Sequence, residues 1–361
     1  MASVSRLVVL VLVLVLLATA VSEAARRRKY RRRRRQNVAK AVSFGRLQAA
    51  GCLPADFQVP DMAECVAAGQ ASGGLRETLR CLAESLQIVN SMGLNEEGIR
   101  NFVMSLSEGD NDWRGVQLGL MEQCRRSMMN DTIPAPQQGI YMLTCWRGLA
   151  DVECRRSTME KLGAEAGGNQ GSWTGQALMF MDAGVCMKPV QGAYHGDFFM
   201  SCANETGVRL PAIDAGIRFV KRYMAVFESG NNDQATPDST AVQSVDQQLA
   251  LFKATVVCVM QMLGEANGDQ INEDAMLSNV MSSQAPEVMK GVAQEIITQC
   301  ALADRSADPF IECWFISAAS GCARIKAHMM ATADNTPAPG RCGGARRRRK
   351  QRRRRPNNQE G

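Results

Sequence analysis

Cys-Trp occurs twice in this chain, at Cys145-Trp146 and Cys313-Trp314. In each case a further cysteine, Cys154 or Cys322, follows after eight intervening residues. Cysteines at set intervals hold metals, act as nucleophiles or close disulfides, and the rest of the composition separates these uses. No Cys-x-x-Cys ligand pair occurs, and the two histidines, His195 and His328, stand in no His-Glu-x-x-His pattern. A metal centre is not expected. Catalytic signals are equally poor. "GSWTG" around Trp173 fails the Gly-x-Ser-x-Gly pattern of a nucleophile elbow, and neither a phosphate loop nor a dinucleotide fingerprint is present. Two histidines also leave little for acid–base work. No enzyme activity and no cofactor are expected, and disulfide formation is the chemistry that remains.

Disulfides persist in oxidising compartments, and the N-terminus supplies a route to one. Arg6 precedes an apolar run from Leu7 to Ala20, and small residues follow at Ser22 and Ala24. This is the pattern of a secretory signal peptide over 1–24. The run is shorter than the roughly 20 apolar residues a membrane-spanning helix needs. The mature protein is therefore expected to be extracellular, with no membrane span.

The formal charge of +6 conceals an uneven distribution. Arg26–Arg35 and Arg346–Arg355 carry nine positive charges each, which leaves −12 for the rest of the chain. Such blocks repel themselves and stay solvated. They are read as a basic arm over 25–37 and another over 336–361, around an acidic body.

Twelve of the 13 cysteines fall into two sets. The first is Cys52, Cys65, Cys81, Cys124, Cys145 and Cys154; the second is Cys186, Cys202, Cys258, Cys300, Cys313 and Cys322. From third to fourth cysteine there are 42 intervening residues in one set and 41 in the other, and each set ends on the eight-residue gap. The fourth-to-fifth gap is longer in the first set because of the Pro/Gly/Asn-rich stretch "NDTIPAPQQG". The match points to an internal duplication, with units over 38–160 and 181–335 and a Gly-rich linker over 161–180. Between cysteines the apolar residues recur at helical spacing. Leu82, Leu86 and Val89 precede a break at Gly93. Val259, Met262 and Leu263 precede one at Gly268, after which Asn272 can cap a helix carrying Met276, Leu277, Val280 and Met281. The expected fold is all-α: two tandem helical units stapled by disulfides, flanked by the basic arms.

"CANETGV" from Cys202, "NGDQINEDAM" from Asn267 and the C-x8-C spacing at Cys313 and Cys322 resemble the insect odorant-binding or pheromone-binding proteins. The resemblance covers about 200–330 well and 50–160 more weakly. Ala254 and Glu77 occupy the positions where that family has its second cysteine. The family's pairing, carried over, implies Cys202 with Cys258, Cys300 with Cys322, and Cys124 with Cys154. Cys313 would then take Cys186, while Cys81 and Cys145 share Cys52 and Cys65 in an order left open.

The resemblance implies a secreted carrier that holds a small hydrophobic ligand non-covalently. Methionine suits adaptable apolar surfaces, and the candidate pocket comprises Phe219, Tyr223, Phe227, Phe252, Met260, Met262, Met276, Phe310, Trp314 and Phe315. Ordinary core packing is the plainer role for any one of them. Two other roles fit the same features: a structural protein of an eggshell or cuticle matrix, and a salivary-type scavenger of host mediators. Asn130 and Asn204 begin Asn-x-Thr sequons and are candidate glycosylation sites. The arms suit polyanions or self-association, and Cys342, outside both sets, is a candidate for a disulfide-linked dimer.

Overall fold

The computed structural model describes residues 44–49, 51–54, 56–71, 74–106, 111–165, 186, 187, 190, 195–209 and 239–332. The signal segment, both basic arms, the expected linker from 166 onward, Cys342, Phe219, Tyr223 and Phe227 lie outside the described residues, and 161–165, expected to begin the linker, are helical instead.

The chain is helical, as its periodicity implies. The first half runs α1 (Gly45–Ala49), α2 (Met62–Ala71), α3 (Leu75–Ser85), β1 (Val89–Asn90), β2 (Gly93–Leu94), α4 (Glu96–Leu106), α5 (Asn111–Asn130) and α6 (Ala135–Glu165). The second runs α7 (His195–Thr206), α8 (Ser239–Met262), β3 (Ala266–Asn267), β4 (Gln270–Ile271), α9 (Glu273–Ser282), α10 (Glu287–Ala303) and α11 (Ala307–Thr332). The sequence breaks at Gly93 and Gly268 are two small antiparallel hairpins, pairing Val89 with Leu94 and Ala266 with Ile271. Gly268 takes φ 63°, a left-handed conformation that glycine adopts without steric cost.

Local chemistry sets the helix limits. In α3 the buried residues are Thr78, Leu79, Leu82 and Ala83, one face of a 3.6-residue period, while Arg80 pairs outward with Glu77 and Glu84. The Asn272 side chain accepts a hydrogen bond from the Ala275 N–H at 3.2 Å and caps α9. Glu273 and Asp274 then meet the positive end of that helix.

All twelve cysteines of the two sets are bridged, and the sets pair in the same order: first to sixth, second to third, fourth to fifth. The bridges are Cys52–Cys154, Cys65–Cys81 and Cys124–Cys145, then Cys186–Cys322, Cys202–Cys258 and Cys300–Cys313. Of the pairings that the family resemblance implied, Cys202–Cys258 is present, and Cys81 takes Cys65, one of the two partners left open for it, whereas Cys145 takes neither Cys52 nor Cys65. Cys124 joins Cys145 rather than Cys154, Cys300 joins Cys313 rather than Cys322, and Cys186 takes Cys322. The reason is geometric. Helices α10 and α11 form an antiparallel hairpin, which brings Cys300 and Cys313 to a Cα separation of 5.6 Å. Cys322 stands nine residues further along the same helix, roughly 13 Å away at about 1.5 Å per residue. That is beyond disulfide reach of Cys300. Nine residues are also about two and a half turns, so the two cysteines of each C-x8-C stretch face opposite sides of one helix. Each side is stapled to a different neighbour.

The two units meet chiefly where α6 crosses α11. Ala323, Ala327 and Ala331 form a stripe of α11 that sits in the core of the first unit, and Val152 of α6 packs against the core of the second. A Cβ on Gly148 would lie 2.6 Å from the Cβ of Ala323. Around this crossing Arg76 donates to the Ala331 carbonyl at 2.8 Å, and His328 Nδ1 lies 3.3 Å from Asp131 Oδ2.

Two outcomes are expected. Gly148→Leu overfills the crossing and should lower stability by about 1–3 kcal/mol. Gly115→Ala, in open space on α5, should instead stabilise by roughly 0.5–1 kcal/mol; urea unfolding of both variants measures the contrast. Non-reducing peptide mapping should return the six bridges above, and a peptide joining residues 52–154 to residues 186–322 would contradict the structure.

Candidate functional site

The two units differ in the side chains that fill equivalent positions of their interiors. In the first, Phe44, Phe57, Phe102 and Trp146 pack on one another. Phe102 meets Trp146 edge-on at 5.0 Å between ring centres, and Phe44 lies 5.8 Å from both Trp146 and Phe57. The Trp146 indole is fully buried and donates to Gln117 Oε1 at 2.6 Å. This aromatic plug occupies the centre of the unit.

The second unit has the same backbone plan with different residues. The Ile88 N–H donates to the Ala83 carbonyl and the Ile88 carbonyl accepts from Asn95; Glu265 repeats both bonds with Met260 and Asn272. Glu265 therefore takes the place of Ile88. Counting seven residues on from Asn95 and from Asn272 reaches Phe102 in one unit and Asn279 in the other. Asn279 Nδ2 donates to Glu265 Oε1 at 2.8 Å. An apolar pair of the first unit is thus a polar pair in the second. Glu265 is 8% exposed, and burial pushes its carboxyl above the usual carboxylate range, against the smaller opposing effect of the Asn279 bond.

Of the residues expected to line an apolar pocket, Met260, Met276, Phe310 and Phe315 are buried in one cluster, with Phe252 and Trp314 at its margin. Trp314 stacks on Phe310 at 6.4 Å and, unlike its counterpart Trp146, is only partly buried. Phe252 also touches Phe199, with ring centres 5.7 Å apart. Met262 does not join them. It is half-exposed at the end of α8, and its Sδ lies 3.5 Å from Cys202 Sγ, so it covers the Cys202–Cys258 bridge.

A second site lies between the units. Helices α5, α10 and α11 enclose a cleft of about 410 Å³. Its walls include Ser127 and Asn130 of the first unit and Glu295, Gln299, Ser317, Ser320 and Arg324 of the second. Arg324, buried, grips Glu295 with both Nη atoms at 2.8 and 2.6 Å. Close to it, the Tyr141 hydroxyl donates to Asp131 Oδ2 at 3.1 Å, and burial followed by the Asp131 charge holds the phenol well above its ordinary pKa. Sequence reasoning missed Glu295, Arg324, Asp131 and Tyr141. They are scattered along the chain and share no local pattern that would have found them.

Of the sequon residues, Asn130 is exposed at the end of α5 and borders the cleft. Asn204 is exposed on α7, and its sequon hydroxyl, Thr206, is engaged with the Cys202 carbonyl and with Thr255 Oγ1. Among the described residues no group of His, Cys, Asp and Glu is placed to hold a metal ion, and no helix is long and apolar enough to cross a membrane.

Glu265→Gln keeps a partner for Asn279 and removes the titration. A carboxyl raised in the folded state contributes its full stability below the usual carboxylate range and loses it as pH rises towards the raised value. The wild-type protein should therefore match Glu265→Gln near pH 3 and fall below it by pH 7, as read from urea midpoints across that range. Comparisons with protein-family models, with curated proteins and with solved structures return no match for this chain.

Proposed function

We propose that the protein is an extracellular carrier that holds a small apolar molecule non-covalently in its second unit. One observation carries this reading. The position that closes the aromatic plug of the first unit, Phe102, is Asn279 in the second, and Trp314 there keeps a partly open face beside Phe310. Small-molecule sites are mostly apolar with a few placed polar groups. Met260, Met276, Phe310, Phe315 and Trp314 supply the first character, and the Glu265–Asn279 pair supplies the second. The bridge order differs from that of the odorant-binding proteins, so the reading rests on this aromatic asymmetry rather than on the cysteine pattern.

Six disulfides and the absence, among the described residues, of a helix able to span a membrane are compatible with secretion. The basic arms, outside the described residues, add an electrostatic route to polyanions or to the acidic body of another copy.

Displacement of a fluorescent apolar probe from the purified protein tests the proposal. Trp314→Ala should weaken probe binding about tenfold, the equivalent of one aromatic contact of about 1.4 kcal/mol. Asn279→Phe, which restores the plug, should weaken it further without loss of helicity. Unchanged affinity in both variants, with the fold intact, counts against the second unit as the binding site.

A further inference from the structure

The cleft between the units plays no part in the apolar reading, and its chemistry points elsewhere. Its polar walls include the hydroxyl and amide groups of Ser127, Gln299, Ser317 and Ser320, together with two arginines that already face carboxylates: Arg126, 3.6 Å from Glu122, and Arg324, held by Glu295. That ion pair neutralises the charge of Arg324. The Nε of Arg324 is buried and has no acceptor, and Arg324 itself is 8% exposed. A cleft with many donors and acceptors and a self-neutralised ion pair suits a neutral polyhydroxylated molecule better than an ion or a hydrocarbon. Its volume of about 410 Å³ falls within the roughly 300–1,000 Å³ of small-molecule sites. At its edge stands Asn130, the acceptor residue of Asn130-Asp131-Thr132.

We propose that Asn130 carries an N-linked glycan whose first sugars sit in this cleft and join the two units. In the modification, the Asn130 amide nitrogen bonds to the anomeric carbon of a lipid-pyrophosphate-linked oligosaccharide. The bond from that carbon to the pyrophosphate breaks, the lipid pyrophosphate leaves with the electron pair, and the amide nitrogen gives up one proton to the transferase. Saccharide contacts are individually weak, but tethering makes this binding intramolecular, at an effective concentration on the order of millimolar. The sugars would hydrogen-bond Ser127 on α5 and reach Gln299, Ser317 and Ser320 on α10 and α11. They would thus reinforce from outside the crossing that Gly148 and Ala323 make inside. The inference depends on passage through the secretory pathway and is independent of the apolar ligand.

The test uses the full chain secreted from a eukaryotic host. Glycopeptide mass spectrometry should find Asn130 occupied. Thr132→Ala, which removes the sequon and keeps Asn130, should speed amide exchange over 295–299 and 317–324 by about threefold or more, since a tether of this kind is lost with the sugar. Asn130→Gln should reproduce that effect, and Asn204→Gln, whose site is on α7, should leave those segments unchanged. An unoccupied Asn130 overturns the proposal. So does an occupied Asn130 whose removal leaves exchange in α10 and α11 as it was.

Discussion

The close crossing of α6 and α11 is the contact on which the remaining geometry depends. Gly148 and Ala323 let two long helices approach with almost no side chain between them. Small residues lose little rotamer freedom on burial, and a close approach multiplies weak dispersion contacts along the line of crossing. The same two helices carry Cys145, Cys154, Cys313 and Cys322. Each therefore has one cysteine facing its hairpin partner and one facing the N-terminal segment of its own unit. Placing α6 and α11 consequently places both cores, both outer staples and the cleft along the seam.

The disulfides act around this crossing in two ways. Cys124–Cys145 and Cys300–Cys313 close short hairpins between neighbouring helices, with separations of 21 and 13 residues. Cys52–Cys154 and Cys186–Cys322 close loops of 102 and 136 residues and constrain the unfolded chain more. A typical bridge is worth about 2–4 kcal/mol, which matters for helices as short as α2 and α9. Polar contacts add direction. Lys253 of α8, buried, reaches Asp308 at 3.1 Å and Glu312 at 2.7 Å on α11. Breaking such a pair leaves a buried charge uncompensated, so it specifies how α8 docks more than it adds stability.

The two units show how one backbone plan supports different interiors. Where the first places Ile88 and Phe102, the second places Glu265 and Asn279. Burying a carboxyl is unfavourable unless it is neutral or hydrogen-bonded, and the Asn279 amide with the raised carboxyl pKa meets that condition. The first unit fills these positions with buried apolar side chains. The second accepts a less favourable core and keeps a polar group next to its apolar cluster.

Local signals in the sequence were enough for the helical class. Apolar spacing pointed to helices, although α3 ends at Ser85 and Val89, spaced as a helical residue, lies in β1; Gly93 and Gly268 located the turns, and Asn272 announced a cap that the structure contains. Cysteine spacing also separated the two sets, because a repeated interval is visible without knowing what pairs with what. Partner choice was not legible. Which cysteine reaches which depends on the face each takes on its helix and on which helices form hairpins, so Cys300 met Cys313 and not Cys322. The same holds for Met262, whose helical spacing matched a core residue although its place at the end of α8 left it over a bridge. Arg324 with Glu295, and Asp131 with Tyr141 and His328, could come only from tertiary structure. Arg324 meets Glu295 where α10 and α11 form a hairpin, Tyr141 meets Asp131 across the turn between α5 and α6, and His328 reaches Asp131 across the seam; nothing in the residues next to them along the chain encodes those meetings.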